Sequence, residues 1–254
     1  MSETPMHKLL TFVAVIVILC MGATICGAQS TSVLSERTLR MIQGWTDEAQ
    51  NFVSSNRTDG AERVTMLIDL IDRGNRIIEL TLRESNGWQG VGEGFGEIYS
   101  EIAGALWNSN ARDNQQVLDV LVRGSYNADS PFAVEIAGSY GERIVPTVLE
   151  QARSDVPIFR ATATQMLGTL LQYSKLLPTT RNSVHTAIVN AASDGDVGVR
   201  ISAVITLGHV GTPVDLTLLR RIAASDPETT TANNSIRYPV REAAQRAIAA
   251  IQRR

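Results

Sequence analysis

The chain has 254 residues, 44% of them hydrophobic, and a formal net charge of −3. That composition excludes wholesale disorder and supplies a sizeable core, as one long domain or two short ones. It also lacks the basic stripe that phosphate backbones require, so no nucleic-acid partner is expected.

The N-terminus reads as an export signal. His7-Lys8 precede an apolar run from Leu9 to Met21, broken by Thr11, and the small-residue segment from Gly22 to Ala28 follows. Positive, apolar, small is the layout of a secretory signal. Ala28 at −1 and Cys26 at −3 suit cleavage before Gln29, and Met6 is an alternative start that gives a more compact signal. The expectation is therefore a signal peptide over 1–28 and a secreted protein, periplasmic or extracellular. The competing reading keeps Leu9 to Ala28 as a membrane anchor, because 20 residues just span about 30 Å of hydrocarbon. Lipid anchoring fits less well, since Leu19 and Ile25 stand where a small residue precedes a lipidated cysteine. Both cysteines, Cys20 and Cys26, lie in this stretch, so the cleaved chain has no thiol for disulfides, nucleophilic catalysis or thiolate metal sites.

From residue 29 to about 125 the sequence predicts a helical N-terminal region. Leu39, Ile42, Trp45, Ala49 and Phe52 step by three or four along one apolar face. Asp59 with Glu62 forms a capping box for a second helix, whose stripe is Val64, Leu67, Ile71, Ile78 and Leu82. Gly74 interrupts that helix at a cost of about 1 kcal/mol against Ala. Asp69, Asp72 and Glu79 stand at helical spacing beside Arg73, Arg76 and Arg83, the pattern of a solvated, salt-bridged face. Five glycines between Asn86 and Gly96 preclude a stable helix there. Trp88 and Phe95 in that span are candidate anchors for a partner if the loop is exposed. Ile98, Ile102 and Leu106 open another helix, and Val117, Leu118 and Leu121 one more.

Beyond residue 126 the punctuation becomes regular. Ser130-Pro131 and Thr212-Pro213 each place a capping residue before a proline in the first turn, and Gly124, Gly141 and Gly211 are helix stops. Helix pairs are expected at 131–153, 156–192 and 197–225, with a lone helix at 238–252 and a long polar loop from Ser225 to Tyr238. Three copies of one signature lie 40 and 41 residues apart, anchored on Arg160, Arg200 and Arg241. Each has a small residue three positions on (Ala163, Ala203, Ala244), an aliphatic at seven (Leu167, Leu207, Ile248) and Gly or Ala at eight (Gly168, Gly208, Ala249). A fixed period of this size means stacked helix pairs. Val199, Ala203 and Leu207 form one stripe for the neighbouring helix, and Asp196 is placed to cap the helix that follows it.

These residues resemble HEAT repeats, in particular the short type also found in phycobilisome lyases. The pattern Asp-x-x-Val-Arg-x-x-Ala-x-x-x-Leu-Gly is clearest from Asp196 to Gly208. The first copy departs from it at Ile158-Phe159, and the third lacks the leading Asp and has Ala249 for Gly. The resemblance covers about residue 130 to the end and implies an all-α fold, an α-solenoid of antiparallel helix pairs. It also implies a structural ladder in which Arg160, Arg200 and Arg241 pair with Asp155, Asp194 or Asp196. The rival reading makes those arginines the lining of an anion-binding groove.

The sequence carries few groups suited to catalysis or metal binding. His185 and His209 are the histidines beyond the signal segment, without metal-ligand spacing. His209 lies at a helix end, where a favourable interaction with the helix C-terminus is the expectation. Gly138-Ser139-Tyr140-Gly141 lacks the spacing of a nucleophile elbow, the glycines at 90–96 lack that of a dinucleotide fingerprint, and Asp194-Gly195-Asp196 is too short for a calcium loop. Asn56-Arg57-Thr58 and Asn233-Asn234-Ser235 are glycosylation sequons. The reading is an exported helical-repeat scaffold that binds a protein partner, without catalysis or cofactor. An enzyme or enzyme-maturation factor of the lyase type, by fold analogy, and a membrane-anchored structural subunit are the alternatives.

Overall fold

The computed structural model describes residues 34–55, 60–85, 93–124, 132–232 and 235–254. The signal segment, Asp59, Trp88, Ser130-Pro131 and the asparagines of the sequons lie outside them. Four helices form the N-terminal part: α1 (Glu36–Ser54), α2 (Ala61–Ser85), α3 (Glu93–Trp107) and α4 (Gln115–Gly124). Then come α5 (Phe132–Tyr140), a 3-10 turn (Gly141–Arg143), α6 (Val145–Gln151), α7 (Pro157–Tyr173), α8 (Pro178–Ala191), α9 (Val197–Val210), a 3-10 turn (Pro213–Asp215) and α10 (Leu216–Ser225). A short hairpin of β1 (Thr230–Ala232) and β2 (Ser235–Arg237) precedes α11 (Pro239–Gln252). The architecture is the expected all-α one. Among the described residues no helix is long and apolar enough to cross a membrane.

In the N-terminal part α2 is the central helix, packed by α1, α3 and α4. Trp45, Ala49 and Phe52 of α1 are buried as their spacing predicts, but Leu39 is 48% exposed. Thr38 takes the inner position instead, its hydroxyl donating to Glu84 Oε1 at 2.7 Å. The same carboxylate accepts from the Ser35 backbone N–H at 2.9 Å, so the end of α2 clasps the start of α1. Gly74 does not break α2. A Cβ there would lie 3.0 Å from the Tyr99 ring and 3.1 Å from that of Trp45, so the missing side chain lets two aromatics reach the helix backbone. The glycine-rich span is likewise less disruptive than expected: α3 begins at Glu93 and runs through Gly94 and Gly96. Glycine costs a helix about 1 kcal/mol, and burial of Phe95, Tyr99, Ile102 and Leu106 from the same helix offsets that penalty.

In the C-terminal part α7, α9 and α11 lie side by side. Gly168 of α7 meets Thr206 of α9, and Gly208 of α9 meets Ala247 of α11. Each glycine stands eight residues after its ladder arginine and each contact six after the next one, so the repeat period is also the stacking period. Ala249, the third residue in the glycine position, is exposed, and among the described residues no further helix packs on it. α8 packs on both α7 and α9, and α6 on α7. The pairing expected for 197–225 is different in space. α10, whose buried residues are Leu219 and Ile222, packs on α11 and not chiefly on α9, so α11 is not a lone helix. The inserted segment after Ser225 folds into the two-strand hairpin, paired Thr230 with Arg237 and Ala232 with Ser235, and returns the chain beside α10.

One continuous cluster of buried side chains extends from Trp45 of α1 to Ile251 of α11. A polar contact also joins the two parts. Arg83 of α2 donates from Nη1 and Nη2 to Asp155 at 2.6 and 2.7 Å. Both side chains are well exposed, 44% and 67%. Arg83→Ala is therefore expected to cost no more than about 1 kcal/mol, read as a urea unfolding midpoint. A larger loss would mean that this pair, and not the shared core, holds the halves together.

Candidate interaction surface

The turns that precede α7 and α9, and the segment after α10, each contain the dipeptide Ser-Asp: Ser154-Asp155, Ser193-Asp194 and Ser225-Asp226. Each aspartate receives an arginine from earlier in the chain. Asp155 takes Arg83, as above. Asp194 takes Arg160, with Nε to Oδ2 at 2.8 Å and Nη2 to Oδ1 at 2.7 Å. Asp226 takes Arg200, with Nε to Oδ2 at 2.9 Å and Nη2 to Oδ1 at 3.3 Å. The remaining Nη1 of Arg160 donates to the Ser154 carbonyl at 2.8 Å, and that of Arg200 to the Asp194 carbonyl at 3.1 Å. Each guanidinium thus binds its own turn and the next one, a two-pronged geometry that lysine cannot reproduce.

This assignment revises the expected ladder. Asp155 is not the partner of Arg160 but of Arg83. Asp196 pairs with no arginine side chain among the described residues: its Oδ1 accepts from the Val199 amide at 3.1 Å and caps α9. Asp194 carries the pairing with Arg160, and Asp226 was not foreseen. The signal for it is present in the Ser-Asp dipeptide, but the long loop from Ser225 to Tyr238 removes it from the regular spacing of the repeat. Arg241, the third arginine, has no carboxylate partner among the described residues. Its Nε donates to the Asp226 carbonyl at 2.6 Å, and its guanidinium stacks 4.2 Å over the Tyr238 ring.

Electrostatics follow the geometry. The Arg160 hydrogen bonds hold the Asp194 carboxyl below its ordinary value of 3.8, against an opposing effect of burial. A depressed carboxyl binds fewer protons folded than unfolded, so its contribution is complete above the ordinary range and disappears as pH falls through the lower folded value. Asp194→Asn should therefore destabilise by a constant amount near neutrality, about 1–3 kcal/mol, and by progressively less below pH 3.8. Urea midpoints of both proteins across that range check it; parallel curves down to the acid limit would contradict the assigned pair.

Beside the ladder lies an open cleft of ≈ 340 Å³, lined by Ser193, Asp194, Arg200, Arg221, Ile222 and Asp226 among others. Between α8 and the turn before α10, His185 Nε2 lies 3.0 Å from Asp215 Oδ1. Asp215 is buried and also accepts from the Thr212 N–H at 2.7 Å, closing the predicted cap around Pro213. That histidine ties α8 to the start of α10. The helix-end role expected of His209 falls to Arg254, whose guanidinium donates to the carbonyls of Gly208 at 3.1 Å and Gly211 at 3.0 Å, and to that of His209. Partial burial and the nearby Arg254 charge lower the His209 pKa, which disfavours the imidazolium at this helix end.

Phe95, a candidate partner anchor, is 3% exposed. Its ring lies 4.3 Å from that of Trp45 and 6.1 Å from that of Tyr99. It is a core residue, because the helix that carries it starts two residues earlier and turns it inward. Trp107 is also buried. The large apolar side chains that do face solvent include Leu177, Val214 and Ile236 at 62%, 77% and 66%, the last on the hairpin.

Residues 145–249 match the family model for HEAT repeats. This stretch is built of HEAT-like repeats. The matched stretch runs from α6 to α11 and takes in all three Ser-Asp dipeptides and all three arginines of the signature, so apart from Arg83 the HEAT repeats and the ladder coincide. No curated protein and no solved structure matches the chain.

Proposed function

We propose that the protein is an exported scaffold whose HEAT-like repeats present a stiff surface to a protein partner. The observation that carries this reading is the ladder. Guanidinium groups that each bridge two successive turns, together with glycine contacts between helices, fix the repeats relative to one another. A surface fixed in this way binds without the entropic cost of ordering itself. Export rests on the positive, apolar, small order of residues 7–28, and the cleaved form is preferred to the anchored one because the apolar run is short and ends in small residues.

The test has two arms. Intact mass of the protein recovered from its native host is expected to show a chain beginning at Gln29. Photo-crosslinking from Ile236, which is 66% exposed, in the exported fraction is expected to trap one discrete protein adduct. An uncleaved chain that stays with membranes after alkaline washing, or a partner-free protein that turns over a small substrate, would overturn the reading.

A further inference from the structure

We infer that the surface of the last described repeat, centred on Arg241 of α11, takes an acidic Ser-Asp-type turn from a different protein, which continues the ladder across the interface. Three arginines of this chain each hold the aspartate of a Ser-Asp turn: Arg83 holds Asp155, Arg160 holds Asp194 and Arg200 holds Asp226. Arg241 stands at the position equivalent to Arg160 and Arg200 in the repeat and has no such carboxylate. Its Nε is engaged by the Asp226 carbonyl, and among the described residues nothing accepts from Nη1 or Nη2. The Tyr238 ring, 4.2 Å beneath, holds the guanidinium plane in place, so its outer edge is oriented and not merely solvated.

Two further observations define the occupant. Ala249 stands in the position where Gly168 and Gly208 receive the next helix, and it is exposed. The stacking slot is therefore open as well as the charge slot. Residues 237–254 contain five arginines and one carboxylate side chain, Glu242, in a chain of net charge −3. Glu242 is itself engaged by Arg237, with Nε to Oε1 at 2.7 Å. The surplus positive charge favours an acidic segment. A second copy does not fit, because all three of its Ser-Asp carboxylates are already held by its own arginines.

The inference deepens the scaffold reading and rests on it, but it is tested separately. The probe is a synthetic peptide of residues 190–198, Asn-Ala-Ala-Ser-Asp-Gly-Asp-Val-Gly, titrated into the full chain while the arginine Nε–H resonances are followed by NMR. The expected result is a saturable shift of the Arg241 resonance, with affinity lowered about tenfold or more when both aspartates of the peptide are replaced by asparagine. Arg241→Gln should abolish the response, whereas Arg246→Gln, on an exposed part of the same helix, should leave a saturable one. Arg241→Lys, which keeps the charge but loses the fork, separates a paired site from simple attraction and should bind as poorly as Arg241→Gln. The proposal fails if the asparagine peptide shifts Arg241 equally, if Arg241→Lys binds as well as wild type, if a single-stranded oligonucleotide displaces the peptide more readily than the free peptide itself does, or if the chain self-associates through Arg241. Failure here with an intact Ile236 crosslink would remove this surface and leave the scaffold reading standing.

Discussion

Asp226→Ala is expected to be the most damaging single substitution in the ladder, at about 3–5 kcal/mol. Asp226 is only 6% exposed and Arg200 12%, the most enclosed arginine–carboxylate pair in the described protein. Removing the carboxylate leaves a guanidinium that cannot shed its charge and has lost two of its hydrogen bonds. The backbone is affected too, because Asp226 Oδ1 also accepts from the Glu228 amide at 3.0 Å and so shapes the entry to the hairpin. Replacing both partners, Arg200→Met with Asp226→Leu, should recover much of the loss, since no enclosed guanidinium is left without its carboxylate and Glu228, which also meets Arg200 at 3.5 Å, is 39% exposed to solvent. Denaturant unfolding of the two single variants and the double one gives the coupling directly. Additive losses would show that the pair does not act as a unit.

Gly168→Ala is the second strong expectation, and its sign depends on a residue in another helix. A Cβ at position 168 would lie 2.4 Å from Thr206 Cγ2, a contact that cannot persist. Thr206 is buried, 5% exposed, and its β-branched side chain has little rotamer freedom in a helix. The expected cost is about 1–3 kcal/mol from overpacking, against which alanine offers about 1 kcal/mol of helix propensity. In a Thr206→Ala background the obstructing methyl is gone, and the same substitution at Gly168 should become stabilising by about 0.5–1 kcal/mol. A shift in sign between backgrounds, measured by thermal or urea unfolding, would establish that the glycine is required by the crossing of α7 and α9. Equal losses in both backgrounds would mean that some other neighbour is responsible.

Both effects show how unevenly the fold was written in the chain. The helical faces were legible because burial repeats at helical spacing: Leu67, Ile71, Ile78 and Leu82 of α2 are all buried as the pattern predicts. Phe95 was misread because glycine density was weighed as a local property. Its helix persists through tertiary packing, which routinely outweighs a propensity difference of about 1 kcal/mol per glycine. The pairing of α10 with α11 was missed for a different reason. Sequence order suggested a hairpin with α9, whereas the inserted β1–β2 segment carries the chain back to a new neighbour.

The ladder marks the same division most clearly. The sequence by itself determined that Arg160, Arg200 and Arg241 occupy equivalent places on equivalent helices, and that Gly or Ala follows each at eight residues. Those properties depend on the helical period alone. Which carboxylate each arginine meets was decided only by the tertiary structure. Arg160 reaches an aspartate 34 residues on and Arg200 one 26 residues on, because α7 and α8 have 17 and 14 residues where α9 and α10 have 14 and 10, and the connecting segments differ as well. A salt bridge between repeats depends on distance in space, which the lengths of the intervening helix and loop set, and no fixed spacing along the chain encodes that.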